Sequence, residues 1–341
     1  MIHVNIRSAK KNLADFEAYL HVLSHKFTII ALTESWLQDC DSQLYNLPGY
    51  EMFEDHRSER TGGGVALYVD ICYDCKRRPD LDVFNSNCES LFLEVESDSV
   101  GMSRNVIIGV IYRIPNTNVS AFIDLLKTIL ERVKKENKFC YLLGDYNLDL
   151  LNSESHSTTG EYFDLLCSYS YMPLINKPTR VTANTATIID NIYTNNISNM
   201  NESIQGILIT DISDHYPIFH VNSNRSDSNN SEMYIMKRKY TTTNKLSFQN
   251  SLENIDWQTV FDNSTTNGSF DHFHGILKKL HDTHFPKVKV KIKYKNNKPW
   301  LDDDMKESIK IKNKLYVLSK KYHLFIMRKI IKHSKINYNI N

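Results

Sequence analysis

The sequence contains no long hydrophobic run. No segment approaches the roughly 20 consecutive apolar residues of a membrane-spanning helix, and the first residues lack the basic-then-apolar pattern of a secretory leader. A membrane partner is therefore not expected, and the chain reads as a soluble intracellular protein, nuclear or cytoplasmic. Cysteine is scarce. All six (Cys40, Cys72, Cys75, Cys88, Cys140 and Cys167) fall before residue 223, three of them within or beside apolar runs, so they read as reduced core residues. Cys72 and Cys75 form a lone CxxC, but tetrahedral zinc takes four ligands and no second such pair follows. A nucleotide-cradling loop is missing as well: Gly62-Gly63-Gly64 lacks the Lys-Ser/Thr of a P-loop and reads as a turn into a strand. There are no internal repeats.

Basic residues are few where acidic ones are many. Residues 1–222 carry 18 Lys and Arg against 29 Asp and Glu, and the remainder carries 23 against 11, which leaves a formal net charge of only +1 for all 341 residues. Such an asymmetry points to an acidic, metal-binding body joined to a basic arm suited to polyphosphate. Between them, residues 223–232 are rich in Ser, Asn and Asp without an apolar anchor and read as a linker. This divides the chain into a domain at 1–222, a linker at 223–232 and a basic region at 233–341.

Short β-branched or aromatic runs recur in the acidic part: Ile2–Ile6, Thr28–Leu32, Gly64–Val69, Ser90–Val95, Val106–Tyr112, Phe139–Leu143, Ile188–Tyr193, Gln205–Ile209 and Ile218–Val221. These read as strands. Apolar residues at 3–4 spacing predict helices over Asn12–Leu23 and Val119–Glu136, with a shorter one over Glu161–Ser168. Many strands with few helices between them imply packed sheets flanked by helices. In the basic region a weakly structured stretch precedes Lys287–Lys295, where Lys alternates with Val, Ile and Tyr. Pro299-Trp300 then precedes Asp302-Asp303-Asp304, acids suited to the start of a basic amphipathic helix from about Asp303 to Lys335.

Most strand-like runs end in, or run into, a polar residue that a buried strand would not select. Asn5 closes the first, Glu34 follows the second, Tyr112 and Arg113 end another, and Asp145 and Asn147 follow Gly144. Asp190 interrupts Ile188–Tyr193, and Asp214-His215 follows Ser213. Catalytic groups collect where rigid strands meet solvent, so six such places imply one shared site. Their types suit phosphodiester hydrolysis. Mg²⁺ takes hard oxygen ligands and keeps several waters, a need that Glu34 and Asn5 meet. Asp145 can orient or deprotonate water, with Asn147 holding a phosphate oxygen. His215, its tautomer and charge fixed by Asp190, can stabilise an anionic transition state. Taken singly, each has a plainer reading: Asn5 as a turn residue, Glu34 as an acid at a helix N-terminus, Tyr112 as core, Asp145 and Asn147 as an Asx turn, and Asp214-His215 as a strand cap. Arg57, Arg60, Arg113 and Arg180 are expected on loops near these motifs, where DNA phosphate or plain solvent would explain them equally.

In order, the segments His3-Val-Asn5-Ile-Arg7-Ser8, Leu32-Thr-Glu34-Ser-Trp36-Leu37, Val110-Ile-Tyr112-Arg113-Ile-Pro115-Asn116, Leu143-Gly-Asp145-Tyr-Asn147-Leu-Asp149, Ile189-Asp190-Asn191-Ile-Tyr193-Thr-Asn195 and Ser213-Asp214-His215-Tyr-Pro217 resemble the motif set of the endonuclease/exonuclease/phosphatase superfamily. Several resemble its non-LTR (LINE-type) retrotransposon branch. The resemblance covers about residues 1–222 and implies a four-layer α/β sandwich, two packed and mainly antiparallel sheets between helices, with a partly helical basic tail. It implies a metal site at Asn5, Glu34 and Asp214, with Mg²⁺ as cofactor and Mn²⁺ as a possible substitute. Tyr112, Asp145, Asn147, Asp190 and His215 would be catalytic, and Arg7, Arg113, Asn116 and Arg180 would bind DNA or phosphate. The implied reaction nicks DNA to leave a 3′-hydroxyl that primes reverse transcription, with DNA as partner and element RNA as a possible partner of the basic tail. The tail resembles the connector of such polyproteins more weakly, and no paired-aspartate polymerase motif is present, so reverse transcriptase is expected to be absent. Three alternatives stay open: an abasic-site repair nuclease, a phospholipid-headgroup phosphatase of the same fold, and a catalytically dead fragment that binds nucleic acid.

Overall fold

Strands buried on both faces need apolar residues at every position, and that is how most runs of this sequence read. In a computed structural model, which describes residues 1–23, 25–38, 41, 44–57, 62–100, 102–197, 203–222, 234–262, 265–291 and 303–322, they become the centres of two sheets. In chain order come β1 (Ile2–Asn5), α1 (Ala9–Val22), β2 (Ile29–Thr33), β3 (Tyr50–Asp55), β4 (Val65–Asp70), β5 (Cys75–Arg77), β6 (Val83–Phe84) and β7 (Cys88–Val95). Next are α2 (Ser97–Val100), β8 (Val106–Arg113), α3 (Val119–Glu136), β9 (Phe139–Asp145), α4 (Ser157–Ser168), β10 (Met172–Pro173), β11 (Arg180–Val181) and β12 (Ala186–Thr187). Then β13 (Asp190–Thr194), β14 (Ser203–Ile207) and β15 (Ile218–Asn222) complete the sheets.

One sheet has the order β14-β15-β1-β2-β4-β3, and the other β10-β13-β9-β8-β7-β5 with β6 also on β7. Among the described strands only β1–β2 and β8–β9 pair in parallel; the other pairs are antiparallel, so the expected mainly antiparallel sandwich is what the chain forms. The strands alternate between two cores. On β4, Val65, Leu67 and Val69 face the opposing sheet, where Leu91, Leu93, Ile108 and Val110 meet them. Ala66 and Tyr68 turn outward to the layer that contains Leu13 and Phe16 of α1. On the other outer face, Ile107, Ile111 and Leu142 meet Phe122, Leu126 and Leu130 of α3 and Tyr162 and Leu166 of α4. Helix, sheet, sheet and helix thus make four layers. Cys88 and Cys140 are buried core residues as expected, Cys72 and Cys75 are half-buried, and Cys167 is exposed on α4; Cys40 lies outside the described residues.

The differences from the sequence reading have local causes. β3, Tyr-Glu-Met-Phe-Glu-Asp, is an edge strand paired only to β4, and its half-exposed, acidic composition hides it from a search for apolar runs. β14 lies two residues earlier than the apolar pattern places it.

The chain divides into two compact units, Met1–Asp227 with Lys295–Asn341, and Ser228–Tyr294. The first includes α8 (Asp303–Tyr322), whose Met305 and Ile309 pack with Ala18, Tyr19 and Val22 of α1. It starts at the expected acidic residues; Asp302, Pro299-Trp300 and the stretch to Lys335 lie outside the described residues, as does the expected linker from 223. The second unit corrects the expectation of weak structure. β16 (Tyr234–Arg238) pairs antiparallel with β17 (Lys287–Lys291), and between them lie α5 (Thr242–Glu253), α6 (Gln258–Phe261) and α7 (Thr266–His284). Thr241 and Thr265 cap α5 and α7 by accepting from the amides of Asn244 and Gly268. Phe285 packs at a tilt against Tyr240 and Phe248, which gives the unit a small aromatic centre. Its helices are polar on most positions, so an apolar periodicity is too thin to read.

Candidate active site

The register of the second sheet sets four polar residues in one row. Glu89 of β7 lies opposite Tyr112 of β8, Tyr112 opposite Asp145 of β9, and Asp145 opposite Asp190 of β13. The first sheet supplies Asn5 at the end of β1 and Glu34 just past β2, at the same end of the sandwich. Side chains join the two sheets there: Asn5 Nδ2 donates to Asp145 Oδ2 (2.9 Å), and the Tyr112 hydroxyl donates to Glu34 Oε1 (2.8 Å). His215 Nδ1 lies 2.9 Å from Asp190 Oδ2 and 4.0 Å from Asp145 Oδ2. The expected Asp190–His215 pair is therefore formed.

The local backbone explains why these residue types occur here. A Cβ on Gly144 would overlap the carbonyl oxygen of Ile111 on the neighbouring strand, so only glycine lets β9 run against β8 immediately before Asp145. Asp145 and Asn147 do form an Asx turn, Asn147 N–H to Asp145 Oδ1 at 3.0 Å, which fixes the carboxylate as well as the chain. Glu34 is not at a helix N-terminus: it sits in a turn at φ 51°, a left-handed position uncommon for a residue with a Cβ. Tyr112 is both core and site, its ring among the inter-sheet residues and its hydroxyl on Glu34.

Burial governs the electrostatics. Asp145 and Asp190 are 1% and 0% exposed. Burial, reinforced by the nearby Asp190 charge, pushes Asp145 up to about 7. Burial works against the charged form of Asp190 too, but the His215 charge and its hydrogen bond outweigh it and hold Asp190 below the usual carboxylate range. Burial alone would lower His215, yet the attraction of Asp190, its hydrogen bond and the Asp145 charge together raise it to about 9.

Asp145, Asp190 and His215 bring one ligand-type atom each within 4.8 Å of one another, a buried group able to hold a cation. A second observation fits a hard divalent ion nearby. Asn5 Oδ1 and Asp214 Oδ1 are buried oxygen acceptors with no hydrogen-bond partner. Such atoms are costly unless something satisfies them, and an oxygen-seeking cation would.

The other expected residues separate into two groups. Arg7 and Arg180 reach the site through Asp214: Arg7 Nη1 and Arg180 Nη2 each lie 2.8 Å from its Oδ2, with both arginines partly exposed. Arg113 is a correction. Expected to meet phosphate, it is 4% exposed, and its guanidinium donates inward to the carbonyls of Tyr146 (2.7 Å) and Asn147 (2.9 Å). The Asn147 amide returns a bond to the Arg113 carbonyl (2.8 Å), so Arg113 clamps the loop that carries Asp145 and Asn147. Asn116 is exposed on the turn after β8 at φ 61°. Arg57 is drawn into an ion pair with Glu89, and Arg60 lies outside the described residues.

Sequence reasoning missed Thr179, Ser213 and Trp36. Thr179 Oγ1 donates to Asp190 Oδ2 (2.7 Å) and is fully buried. Ser213 Oγ donates to the Asn5 carbonyl (2.7 Å) and accepts from the His215 amide (3.0 Å), tying the end of β1 to the segment that carries His215. Trp36 Nε1 donates to Glu34 Oε2 (3.0 Å). Thr179 gave no signal, but Ser213 and Trp36 lie within motifs already singled out.

Comparison with solved structures finds the same fold in known hydrolases. The endonuclease domain of TRAS1, a telomere-specific non-LTR retrotransposon, matches over 66% of this chain and 98% of its own, with a TM-score of 0.50 at 14% identity. The AP endonuclease LMAP from Leishmania major matches over 64% of this chain and 85% of its own, with a TM-score of 0.51 at 12% identity. No family model and no curated protein sequence matches the chain. At 12–14% identity the likeness to these two endonucleases is one of fold.

Proposed function

We propose that this chain is a divalent-metal-dependent DNA endonuclease that nicks one strand, and that it is the endonuclease part of a non-LTR retrotransposon. The observation that carries the reading is the buried Asp145–Asp190–His215 cluster, set beside the unsatisfied oxygens of Asn5 and Asp214. Buried carboxylates crowded so closely around a charged histidine are expensive to maintain for stability alone, and perturbed groups of this kind mark sites of chemistry. Asn5, Glu34 and Asp214 would hold Mg²⁺, or Mn²⁺ in its place; when bound, the cation neutralises charge developing on the phosphoryl group.

The chain's own groups divide the remaining work. Asp145, at about 7, accepts a proton from an attacking water near neutral pH, where general bases act best. His215, charged at that pH and held by Asp190, presents Nε2 to the phosphoryl oxygens as negative charge builds. Asn147 retains one amide hydrogen for a phosphate oxygen after its bond to Arg113. Tyr112 orients Glu34 and reaches the phosphate or leaving group. Arg7 and Arg180, partly exposed beside Asp214, meet flanking phosphates. The product ends would be a 3′-hydroxyl, able to prime reverse transcription, and a 5′-phosphate. Residues 1–222 supply the chemistry; residues 233–341, basic beyond the linker, add affinity for DNA or element RNA by counterion release.

Supercoiled plasmid tests the proposal. Mg²⁺-dependent conversion to open circle is expected of the parent, with loss in Asp145→Asn and His215→Ala. Equal traces from all three proteins would refute the catalytic reading. Cutting confined to duplexes with an abasic site, or hydrolysis of a phospholipid headgroup without nicking, would move the substrate to another branch of the fold.

A further inference from the structure

Glu89 is a carboxylate in the same row as Tyr112, Asp145 and Asp190, yet the chemistry above leaves it without a role. It is 1% exposed and lies between the sheets. Its Oε2 accepts from the Gly64 amide of the opposite sheet at 2.6 Å, and its Oε1 pairs with Arg57 Nε. Gly62, Gly63 and Gly64 all have positive φ, and a Cβ on Gly64 would come within 2.6 Å of Ser35 Oγ. The carbonyls of this turn are used in their order: Gly64 O accepts from the Ser35 amide (3.2 Å) and Gly63 O from the Trp36 amide (3.0 Å). Those amides follow Glu34, and both Glu34 (φ 51°) and Trp36 (φ 54°) are left-handed. The path closes through side chains, since Trp36 and Tyr112 each donate to one oxygen of Glu34 and Tyr112 is the cross-strand partner of Glu89.

We propose that Glu89, with Arg57 and the triple-glycine turn, is a positioning device that holds Glu34 in its left-handed turn and aims its carboxylate at the cation. Left-handed residues with side chains are strained and persist only where surrounding structure over-determines them. The turn's carbonyls and the Glu89 carboxylate beneath it supply that constraint. The triple glycine is a turn because its own carbonyls, not a phosphate, are what it serves, and glycine lets its backbone lie against Ser35 and Arg57. The inference rests on the reading of Glu34 as a cation ligand.

The test uses the full chain with Trp257→Phe and Trp300→Phe, so that Trp36 is the sole tryptophan. Metal-free acrylamide quenching reports how firmly the indole is held, and titration with Mn²⁺ alone, followed by quenching of Trp36 emission, reports cation binding. Glu89→Gln is expected to increase acrylamide quenching and to raise the Mn²⁺ midpoint by about 10- to 100-fold, the usual cost of losing a group that orients a metal ligand. Nicking by this variant should recover at high Mn²⁺. Arg57→Gln should move both readouts the same way and carries the test if Glu89→Gln does not fold. Parent-like quenching and midpoint in the folded variants, while Glu34→Gln weakens Mn²⁺ binding, would overturn the positioning role alone. A parent-like midpoint in Glu34→Gln would overturn the ligand reading and the inference with it.

Discussion

Asp190→Asn is the sharpest perturbation of the site, because it removes a charge while nearly keeping the shape. In the parent, burial works to lower His215, but the Asp190 charge and hydrogen bond override it and raise the ring from 6.5 to about 9. At about 1.4 kcal/mol per tenfold change in protonation, that net preference for the charged ring is about 3 kcal/mol. The amide introduced by the substitution can still accept from Nδ1, but burial of a ring only 4% exposed is then opposed by weaker attractions. The ring should titrate at or below 6.5. The linked stability follows the same sign. A raised histidine stabilises fully below its unfolded value near 6.5 and loses that contribution as pH rises through about 9, whereas the depressed Asp190 contributes only above its own unfolded value near 3.8. The parent should therefore exceed Asp190→Asn in urea stability most between about pH 4 and 6.5, with the gap closing above about 9. Metal-free heteronuclear NMR of the histidine ring nitrogens gives the titration, and urea melts at pH 6 and pH 10 give the linkage. A ring that still titrates near 9 in the variant, or a stability gap that does not shrink with pH, would refute the argument.

Other predictions reach beyond that pair. Glu94 is nearly buried, and against the opposing effect of that burial its bond from Asn105 and its pairs with Lys138 and Arg78 hold it at about 2. Glu94→Gln should cost about 3 kcal/mol at pH 7; the parent's advantage persists above about 4.5 and fades as pH falls toward 2, as denaturant melts at pH 7 and pH 3 would measure. Gly144→Ala should destabilise by about 3 kcal/mol and abolish nicking, since no rotamer can relieve a Cβ against a backbone carbonyl; a melting temperature within a degree of the parent would contradict the close approach. Arg113→Lys should lose about 2–4 kcal/mol and slow turnover more than it weakens DNA binding, because it frees the Asn147 loop and leaves buried carbonyls unpaired; a pure binding defect in gel-shift assays would restore the phosphate role. Replacing Lys287, Lys289 and Lys291 by Gln should make the logarithmic salt dependence of DNA binding shallower by up to about 2.7 if all three neutralise phosphates, and an unchanged slope would remove the second unit from the interface.

The sequence exposed those parts of the fold whose chemistry is concentrated along the chain. Apolar strands such as β4 and β8 stand out because both faces are buried, and Asn5, Glu34, Asp145, Asp190 and His215 stand out because they interrupt or end such strands. What stayed hidden depends on partners distant in sequence. Arg113 looks like any loop arginine until its guanidinium is seen to meet the carbonyls of Tyr146 and Asn147, 33 and 34 residues on. Thr179 becomes part of the site only through Asp190, and Glu89 only through Gly64, because burial beside a specific donor leaves no periodic trace. β3 and the helices of the second unit were obscured by the opposite property, too little apolar surface to show a pattern.

The shared row of Glu89, Tyr112, Asp145 and Asp190 also bears on how this protein can change by insertion and deletion. Side chains alternate along a strand, so adding or removing a single residue within β8 or β9 would invert every position beyond it, sending polar groups into the apolar layers and apolar groups into the row of polar residues. Length variation should be tolerated in the loops and forbidden in these strands. The spacing between paired strands is then as much a part of the candidate site as the residues themselves, and a graft that moved only the loops onto another sheet would leave this row behind.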